Sequence, residues 1–191
     1  KESSAASDVY KRQVTKLSHT HFVGNLKAQQ RILRMGEIKK NTFVVGSADN
    51  DIILTKKLPN FNYVKKHYDI KFNEYAILLW HPVTSELASL KSTTIKLINF
   101  INMIKTNFVV IYSNNDPGTN IIISTYKKLL NKNNSKLLKS MRFENFLSLL
   151  KNAKFILGNS SSGIYEAPIL GTPCFNIGSR QNKRIKSQAI K

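Results

Sequence analysis

The chain has 191 residues and a mass of 21.7 kDa, enough to bury a core without disulfides or metal ions. With 41 % hydrophobic and 21 % charged residues it is not a disordered tail, and its longest apolar runs, such as Tyr75–Trp80, are too short to span a bilayer. The single cysteine, Cys174, excludes a disulfide scaffold and a zinc site built from cysteines. It fits a reducing compartment, and no apolar signal segment is visible, so we expect a cytoplasmic location and no membrane partner.

The net charge of +19 comes from 30 Lys and Arg against 11 Asp and Glu, and only six of the basic residues are arginines. A surface that binds nucleic acid usually concentrates Arg and Lys on one element, often interleaved with aromatic residues. Here the densest basic stretches are pairs, such as Lys39-Lys40 and Lys127-Lys128. The pattern favours solvated lysines on helix faces and no nucleic-acid partner, with a basic RNA-binding module as the alternative from another functional class.

The sequences at the two ends of the chain lead us to expect that it is a fragment. Lys1–Gln13 shows no helical or strand period and resembles a translated adapter remnant from the end of an assembled sequencing read. We therefore predict a non-native segment over residues 1–13, with an ordinary frayed terminus as the alternative. The chain stops at Ile190 and Lys191, where a helix is expected to begin.

Strands alternate with helices along the rest of the chain. Strands separated by helices of about ten to fifteen residues are typical of βαβ units. The sequence therefore predicts an α/β fold, a parallel sheet with helices on both faces. The predicted elements are helices over Leu26–Met35, Leu90–Ile104, Thr119–Leu130, Phe143–Leu150 and around Gly163–Ala167, strands over Thr42–Val45, Tyr75–Trp80, Phe108–Tyr112, Phe155–Leu157 and Cys174–Ile177, and a loop over Asn114–Gly118.

The richest junction, Phe155–Pro168, reads FILGNSSSGIYEAP. A predicted strand runs into Ser160, Ser161 and Ser162, and then into Gly163 and a predicted helix. Ligands of parallel sheets bind at the carboxyl ends of the strands, where a helix N-terminus offers free N–H groups and a positive dipole. Serine hydroxyls donate to phosphate oxygens, and glycine allows a close backbone approach. The spacing favours a diphosphate site over serines that merely cap a helix.

Glu166 lies about one helical turn beyond these serines. A carboxylate weakens an anion site unless it faces another group. The cis-diol of a ribose is the natural partner, because a carboxylate accepts from both hydroxyls. A solvent-facing Glu166 is the alternative.

The residues GNSSSGIYEAP, then GTPCFNIGSRQ over Gly171–Gln181 and Arg184, closely resemble the signature of UDP-N-acetylglucosamine 2-epimerases. The sequence looks most like the hydrolysing branch, which makes free N-acetylmannosamine for sialic acid synthesis. The resemblance covers Val14 to Lys191. Three further stretches resemble the family's sequence and occur in the same order. They are LSHTHF (Leu17–Phe22) with MGE (Met35–Glu37) and VGSADND (Val45–Asp51), then WHPVT (Trp80–Thr84), then YSNNDPG (Tyr112–Gly118). The WHPVT stretch resembles the strand-end motif that separates the hydrolysing branch from the non-hydrolysing one.

The resemblance implies a GT-B architecture, in which two Rossmann-like domains hold a nucleotide sugar in the cleft between them. Residues 14–191 would be part of the second, C-terminal, UDP-binding domain, without the first domain and the extreme C-terminus. The implied ligand is a UDP-sugar, with no cofactor and no metal, and the full-length protein is expected to form a homo-oligomer.

The same resemblance assigns the substrate-binding residues. Ser160 and Ser161, with Ser162 and Gly163 beside them, would contact the diphosphate. Glu166 would bind the ribose hydroxyls, and Arg180 would place a cation near the phosphates. Phe143 lies where family members pack the uracil ring, with Ser140 beside it.

His21 aligns with a histidine of the family's active cleft and is the one catalytic residue expected in this chain. Its pairing with His19 is a poor metal site, because no carboxylate or cysteine lies nearby in the sequence. The family's acid–base carboxylates belong to its first domain. In this chain Asp49, Asp51 and Asp116 are expected on loops, with no pair suited to acid–base work.

The implied reaction is an anti-elimination of UDP through a 2-acetamidoglucal, followed by addition of water with inversion at C2, which yields N-acetylmannosamine and UDP. This chain would then handle the leaving group, by stabilising the negative charge that grows on the diphosphate. The alternatives are a hydrolysing epimerase of a UDP-diacetamido sugar and another GT-B glycosyltransferase.

Overall fold

A computed structural model describes residues 2–55 and 57–182. The chain divides into two compact units, Lys1–Thr55 and Lys56–Lys191. The elements of the first unit are α1 (Glu2–Leu17), β1 (His21–Val23), α2 (Leu26–Arg34), β2 (Thr42–Val44) and α3 (Ala48–Thr55). Those of the second unit are α4 (Phe61–His67), β3 (Ala76–Leu79), α5 (Leu87–Met103), β4 (Phe108–Ile111), α6 (Thr119–Leu129), β5 (Ser135–Leu138), α7 (Phe143–Lys151), β6 (Ile156–Gly158), α8 (Glu166–Ile169) and β7 (Cys174–Asn176).

The second unit is built on a five-stranded sheet in the order β5-β4-β3-β6-β7, with every neighbouring pair parallel. All residues of β3 and β4 are apolar and buried, as expected for strands that are covered on both faces. β5 differs, because it reads SKLL and is only partly buried at the edge of the sheet. The predicted α/β class with a parallel sheet is confirmed.

Helices cover both faces of this sheet, since successive residues of a strand point to opposite sides. On one face Ala76, Leu78 and Trp80 pack with Ile98 of α5 and Tyr126 of α6 in the main apolar cluster. Helices α4 and α7 cover the opposite face. There Tyr75 stacks on Phe61 and donates from its hydroxyl to the carbonyl oxygen of Leu149 at 2.8 Å.

The strand order determines where a ligand site can form. The chain passes from β3 outward to β4 and β5, and then returns to place β6 on the other side of β3. Between β3 and β6 the connections leave in opposite directions, which opens a crevice at the carboxyl ends of the two strands. The segments after β3 and β6 therefore lie side by side although about 80 residues separate them in sequence.

The first unit holds β1 and β2 as a two-stranded parallel sheet with His21 opposite Thr42. Those two residues are buried on one face. On the other face the register partners Phe22 and Phe43 stack with ring centroids 5.8 Å apart and are 70 % and 48 % exposed. Asn25 caps α2 by accepting from the backbone N–H of Ala28 at 2.9 Å.

Several sequence-based expectations about local structure are wrong. Residues 2–13 lie in α1, where no period was expected, and Asp49 and Asp51 lie in α3 and not on a loop. The short helix expected around Gly163–Ala167 is two pieces, a 3₁₀ turn over Ser161–Gly163 and the four-residue α8. Asp116 does lie on a loop. Residues Arg184, Ile190 and Lys191 fall outside the described residues.

Candidate functional site

A cavity of about 540 Å³ opens at the carboxyl ends of β3, β4 and β6. That volume lies within the usual range of small-molecule sites, roughly 300–1,000 Å³. Its lining combines apolar side chains with hydroxyl, amide and imidazole groups. Among the lining residues are His81 after β3, Ser113 and Asn114 after β4, Ser140 after β5, Phe143 at the start of α7, and Ser160 and Ser162 after β6.

The serine segment after β6 forms a tight turn. The Ser160 hydroxyl accepts from the backbone N–H of Ser162 at 3.3 Å, which caps the 3₁₀ turn that follows. Ser160 therefore caps the turn and also lines the cavity. The dipole of a long helix is not available at this place, since the turn and α8 are both short.

Close packing against β7 requires a glycine at position 163. A Cβ on this residue would lie 2.4 Å from the Sγ of Cys174 on β7, so a side chain would displace the strand or the turn. Cys174 is buried, and burial raises the pKa of its thiol to about 11. The thiol is therefore neutral near pH 7 and acts as an apolar packing group. A contact between Gly163 and a phosphate stays a prediction.

Hydrogen bonds join the segments that follow four of the strands. Asn159 accepts from the backbone N–H of His81 at 2.7 Å through Oδ1, and its Nδ2 donates to the His81 carbonyl at 2.8 Å. The Asn159 carbonyl accepts from Arg180 Nη1 at 3.2 Å and from Gln181 Nε2 at 2.7 Å. His81 Nδ1 lies 2.9 Å from Asn114 Oδ1.

The environment of His81 favours its neutral ring. Burial is the main cause of its lowered pKa, and the positive charge of Arg180 acts in the same direction. The hydrogen bond to Asn114 and the charge of Asp116 oppose the shift without reversing it. Because Asn114 Oδ1 is an acceptor, the proton of the neutral ring lies on Nδ1, which leaves a lone pair on Nε2.

We expect the pKa of His81, followed by NMR of its ring, to lie below the ordinary histidine value of 6.5. Between that value and the lowered pKa, the unfolded chain binds a proton that the folded chain does not. Stability should therefore fall as the pH drops below 6.5. His81→Gln should flatten the dependence of Tm on pH in this window. A His81 pKa above 6.5 would contradict the assignment.

The structure brings together some of the residues that the sequence singled out. Ser160, Ser162, Ser140 and Phe143 line one cavity. Ser161, Gly163, Glu166 and Arg180 do not line it, although all four follow β6 or β7. Glu166 is the first residue of α8 and is half-buried.

His21 belongs to the first unit and is 7 % exposed. Its Nε2 lies 3.2 Å from Oε2 of Glu37, and the other carboxylate oxygen accepts from Lys16 Nζ at 2.8 Å. The hydrogen bond from Lys16 is the main cause that lowers the pKa of Glu37. A carboxylate therefore lies beside His21 in the structure, although 16 residues separate His21 and Glu37 in the sequence. Such a carboxylate orients an imidazole by accepting its N–H.

Within residues 2–55 and 57–182, no group of three or more His, Cys, Asp or Glu side chains has the arrangement of a metal site. In the same part of the chain, every helix is too short or too polar to cross a bilayer.

Sequence reasoning missed His81, Asn114, Asn159 and Gln181 as individual site residues. His81, Asn114 and Asn159 stand in the strand-end stretches WHPVT, YSNNDPG and GNSSSG, and Gln181 ends GTPCFNIGSRQ. For His81, Asn114 and Asn159 the available signal was their position shortly after apolar strands, because strand ends of a parallel sheet meet at one edge.

Comparison with known proteins gives the family. A family model described as UDP-N-acetylglucosamine 2-epimerase matches residues 1–190, including the segment predicted to be non-native, whose origin stays a prediction. A protein of Neisseria meningitidis serogroup B named UDP-N-acetylglucosamine 2-epimerase is 37 % identical over 190 residues, which are 98 % of this chain and 50 % of the relative. A Campylobacter jejuni protein named GDP/UDP-N,N'-diacetylbacillosamine 2-epimerase (hydrolyzing) is 31 % identical over 190 residues, 97 % of this chain and 50 % of the relative.

Among solved structures, the UDP-GlcNAc 2-epimerase from Neisseria meningitidis bound to UDP-GlcNAc superposes with a TM-score of 0.62. The match has 19 % identity and covers 86 % of this chain and 46 % of that chain, so it supports the fold. This chain spans about half the length of the curated relatives that it matches. The family match over nearly all of its residues shows that the chain belongs to the UDP-N-acetylglucosamine 2-epimerase family.

Proposed function

We propose that this chain is the UDP-holding part of a hydrolysing UDP-GlcNAc 2-epimerase, which converts UDP-GlcNAc to N-acetylmannosamine and UDP. The observation that supports this most directly is the shared cavity, where serines after β6 and Ser140 with Phe143 at the start of α7 line the same space. The lining thus offers an aromatic ring and hydroxyl groups, which suit the base and the phosphates of a nucleoside diphosphate.

In this proposal the uracil ring packs on Phe143 beside Ser140, and the diphosphate binds at the serine turn. Ser160, Ser161 and Ser162 offer hydroxyl groups. Glu166 accepts from the ribose hydroxyls, and Arg180 contributes the positive charge. Because UDP leaves as an anion, donors placed here act most strongly when the bond to the sugar breaks.

The elimination needs a base at C2 and an acid at the glycosidic oxygen. We propose His21 as one acid–base residue of the reaction, supported by its pairing with Glu37, which holds the imidazole in one orientation. The carboxylates that would complete the acid–base pair are expected in the half of the relatives that this chain does not span. His81 lines the cavity and suits a hydrogen bond to the substrate through Nε2.

The hydrolysing branch is the finer part of the proposal. The WHPVT stretch directly after β3 supports it, as does the word hydrolyzing in the name of the Campylobacter jejuni relative. That same name supports a second candidate function, the hydrolytic 2-epimerisation of a UDP-diacetamido sugar. The two candidates share the UDP site and differ in the sugar.

A product assay on a full-length protein that contains this chain tests the proposal. Incubation with UDP-GlcNAc in ¹⁸O-labelled water should release unlabelled UDP and N-acetylmannosamine labelled at C1, because water adds to the sugar after the C1–O bond breaks. Formation of UDP-N-acetylmannosamine without free UDP would contradict hydrolysis. Faster release of UDP from a UDP-diacetamido sugar would favour the second candidate. The 191-residue chain alone should bind UDP weakly and turn over neither substrate.

A further inference from the structure

Asn159 is a buried polar residue at the carboxyl edge of the sheet, and both its backbone and its side-chain amide are hydrogen-bonded. It follows β6 directly and is 1 % exposed. Its backbone N–H donates to the Leu79 carbonyl at 3.0 Å, its carbonyl accepts from Arg180 and Gln181, and its side-chain amide bonds twice to His81. Both donor groups, the backbone N–H and Nδ2, and both acceptors, the backbone carbonyl and Oδ1, are therefore hydrogen-bonded, by residues 79–81 on one side and 180–181 on the other.

The bonds through Asn159 follow the order of the strands. Arg180 and Gln181 come after β7, Asn159 after β6, His81 after β3 and Asn114 after β4. The spatial order of these strands is β4-β3-β6-β7, so each bond joins direct neighbours in the sheet. Past the last backbone hydrogen bonds of the sheet, these side-chain hydrogen bonds thus connect the same neighbouring strands that the backbone pairs.

The side-chain amide of Asn159 suits this place because it carries one donor and one acceptor side by side. The two groups meet the C=O and the N–H of a single residue, His81, at 2.8 and 2.7 Å. A carboxylate would offer two acceptors and repel the His81 carbonyl, and a serine hydroxyl would be too short to span both groups. Gly158 allows the close approach, since a Cβ there would lie 2.0 Å from the Leu79 carbonyl oxygen.

We propose that Asn159 is a positioning residue for the reaction, which sets the spacing between the His81 imidazole and the Arg180 guanidinium on either side of the serine turn. This inference rests on the proposed function, because the turn is the proposed diphosphate site. The Asn159 amide holds the backbone of His81, and its carbonyl holds the guanidinium of Arg180. Gln181 supports the same carbonyl from a buried position.

The test compares Asn159→Asp and Asn159→Ser with the same substitutions at Asn107. Asn107 is a matched control, because its amide also bridges two strand segments by donating to the Glu74 carbonyl at 3.0 Å, but at the amino end of β3 and β4. Two properties are measured on the 191-residue chain: UDP affinity by calorimetry, and the ¹⁵N and ¹H signals of the His81 ring by NMR. Circular dichroism confirms that each variant is folded.

Both Asn159 variants should lose UDP affinity by about tenfold or more and shift the His81 ring signals, whereas the Asn107 variants should change neither. A folded Asn159→Ser protein with unchanged UDP affinity and unchanged His81 signals would overturn the proposal. If the Asn159 variants do not fold, Gln181→Leu replaces them, because it removes one donor to the Asn159 carbonyl. Unchanged affinity and signals in that variant would overturn the proposal equally.

The NMR measurement separates this inference from the proposed function, since it needs no nucleotide. If the parent chain does not bind UDP but the Asn159 variants shift the His81 signals, the proposed function fails and the positioning of His81 by Asn159 is supported. If the parent binds UDP and the Asn159 variants bind it equally well, the positioning role fails and the proposed function stands.

Discussion

Gly158→Ala is expected to lower the free energy of unfolding by about 3 kcal/mol or more. Gly158 has a φ of +134°, which side chains rarely adopt, and an added Cβ would lie 2.0 Å from the Leu79 carbonyl oxygen. Because that oxygen belongs to the neighbouring strand, β3 and β6 would have to separate. Urea unfolding followed by circular dichroism measures the change.

Gly171→Ala is the matched control. Gly171 also has a positive φ, +74°, but no atom lies within 4 Å of the added Cβ. Its substitution should therefore cost only the backbone strain, about 1–2 kcal/mol. Equal losses in the two variants would show that the close contact between β6 and β3 contributes nothing beyond strain.

Glu166→Ala in a full-length enzyme should weaken UDP binding by about tenfold to a hundredfold. A hydrogen bond to a charged group contributes roughly 1.5–3 kcal/mol, and about 1.4 kcal/mol corresponds to tenfold in affinity. Glu166 is half-buried at the start of α8, directly after the serine turn. Isothermal titration calorimetry with UDP gives the change.

Comparing the UDP affinities of Glu166→Ala and Ser161→Ala tests the ribose assignment of Glu166. A neutral hydroxyl contributes roughly 0.5–1.5 kcal/mol, so the loss should be smaller than for Glu166→Ala. Glu74→Ala is the control, because this exposed carboxylate pairs with Lys154 at the amino end of β3. If Glu166→Ala bound UDP like the parent while Ser161→Ala abolished binding, the ribose assignment of Glu166 would be wrong.

The fold of the second unit was predictable where one local pattern dominated. The buried strands β3 and β4 are unbroken apolar runs, and α5 and α6 repeat apolar residues with a helical period. Edge strand β5 escaped prediction, because SKLL at the rim of the sheet is only partly covered and carries no such pattern. α1 escaped for a related reason, since its described apolar side chains, such as Val9 and Tyr10, are exposed.

For the candidate site, the sequence by itself determined which residue types stand at the strand ends. The pattern of strand and turn identifies the serines after β6, whereas Phe143 and Ser140 follow from the family resemblance. In the structure Ser160 and Ser162 line one cavity with both of them. Residue type and order along one strand end are local properties, and a parallel sheet brings its strand ends to one edge.

Only the tertiary structure decided which groups meet. His81 and Asn159 are 78 residues apart, and His21 and Glu37 are 16 apart, yet each pair is in hydrogen-bond contact. These contacts depend on the crossover that places β6 beside β3 and on the connection through α2 that joins the parallel strands β1 and β2. A hydrogen bond requires donor and acceptor within about 3 Å, and over such separations that distance follows from the path of the whole chain, which no local pattern encodes.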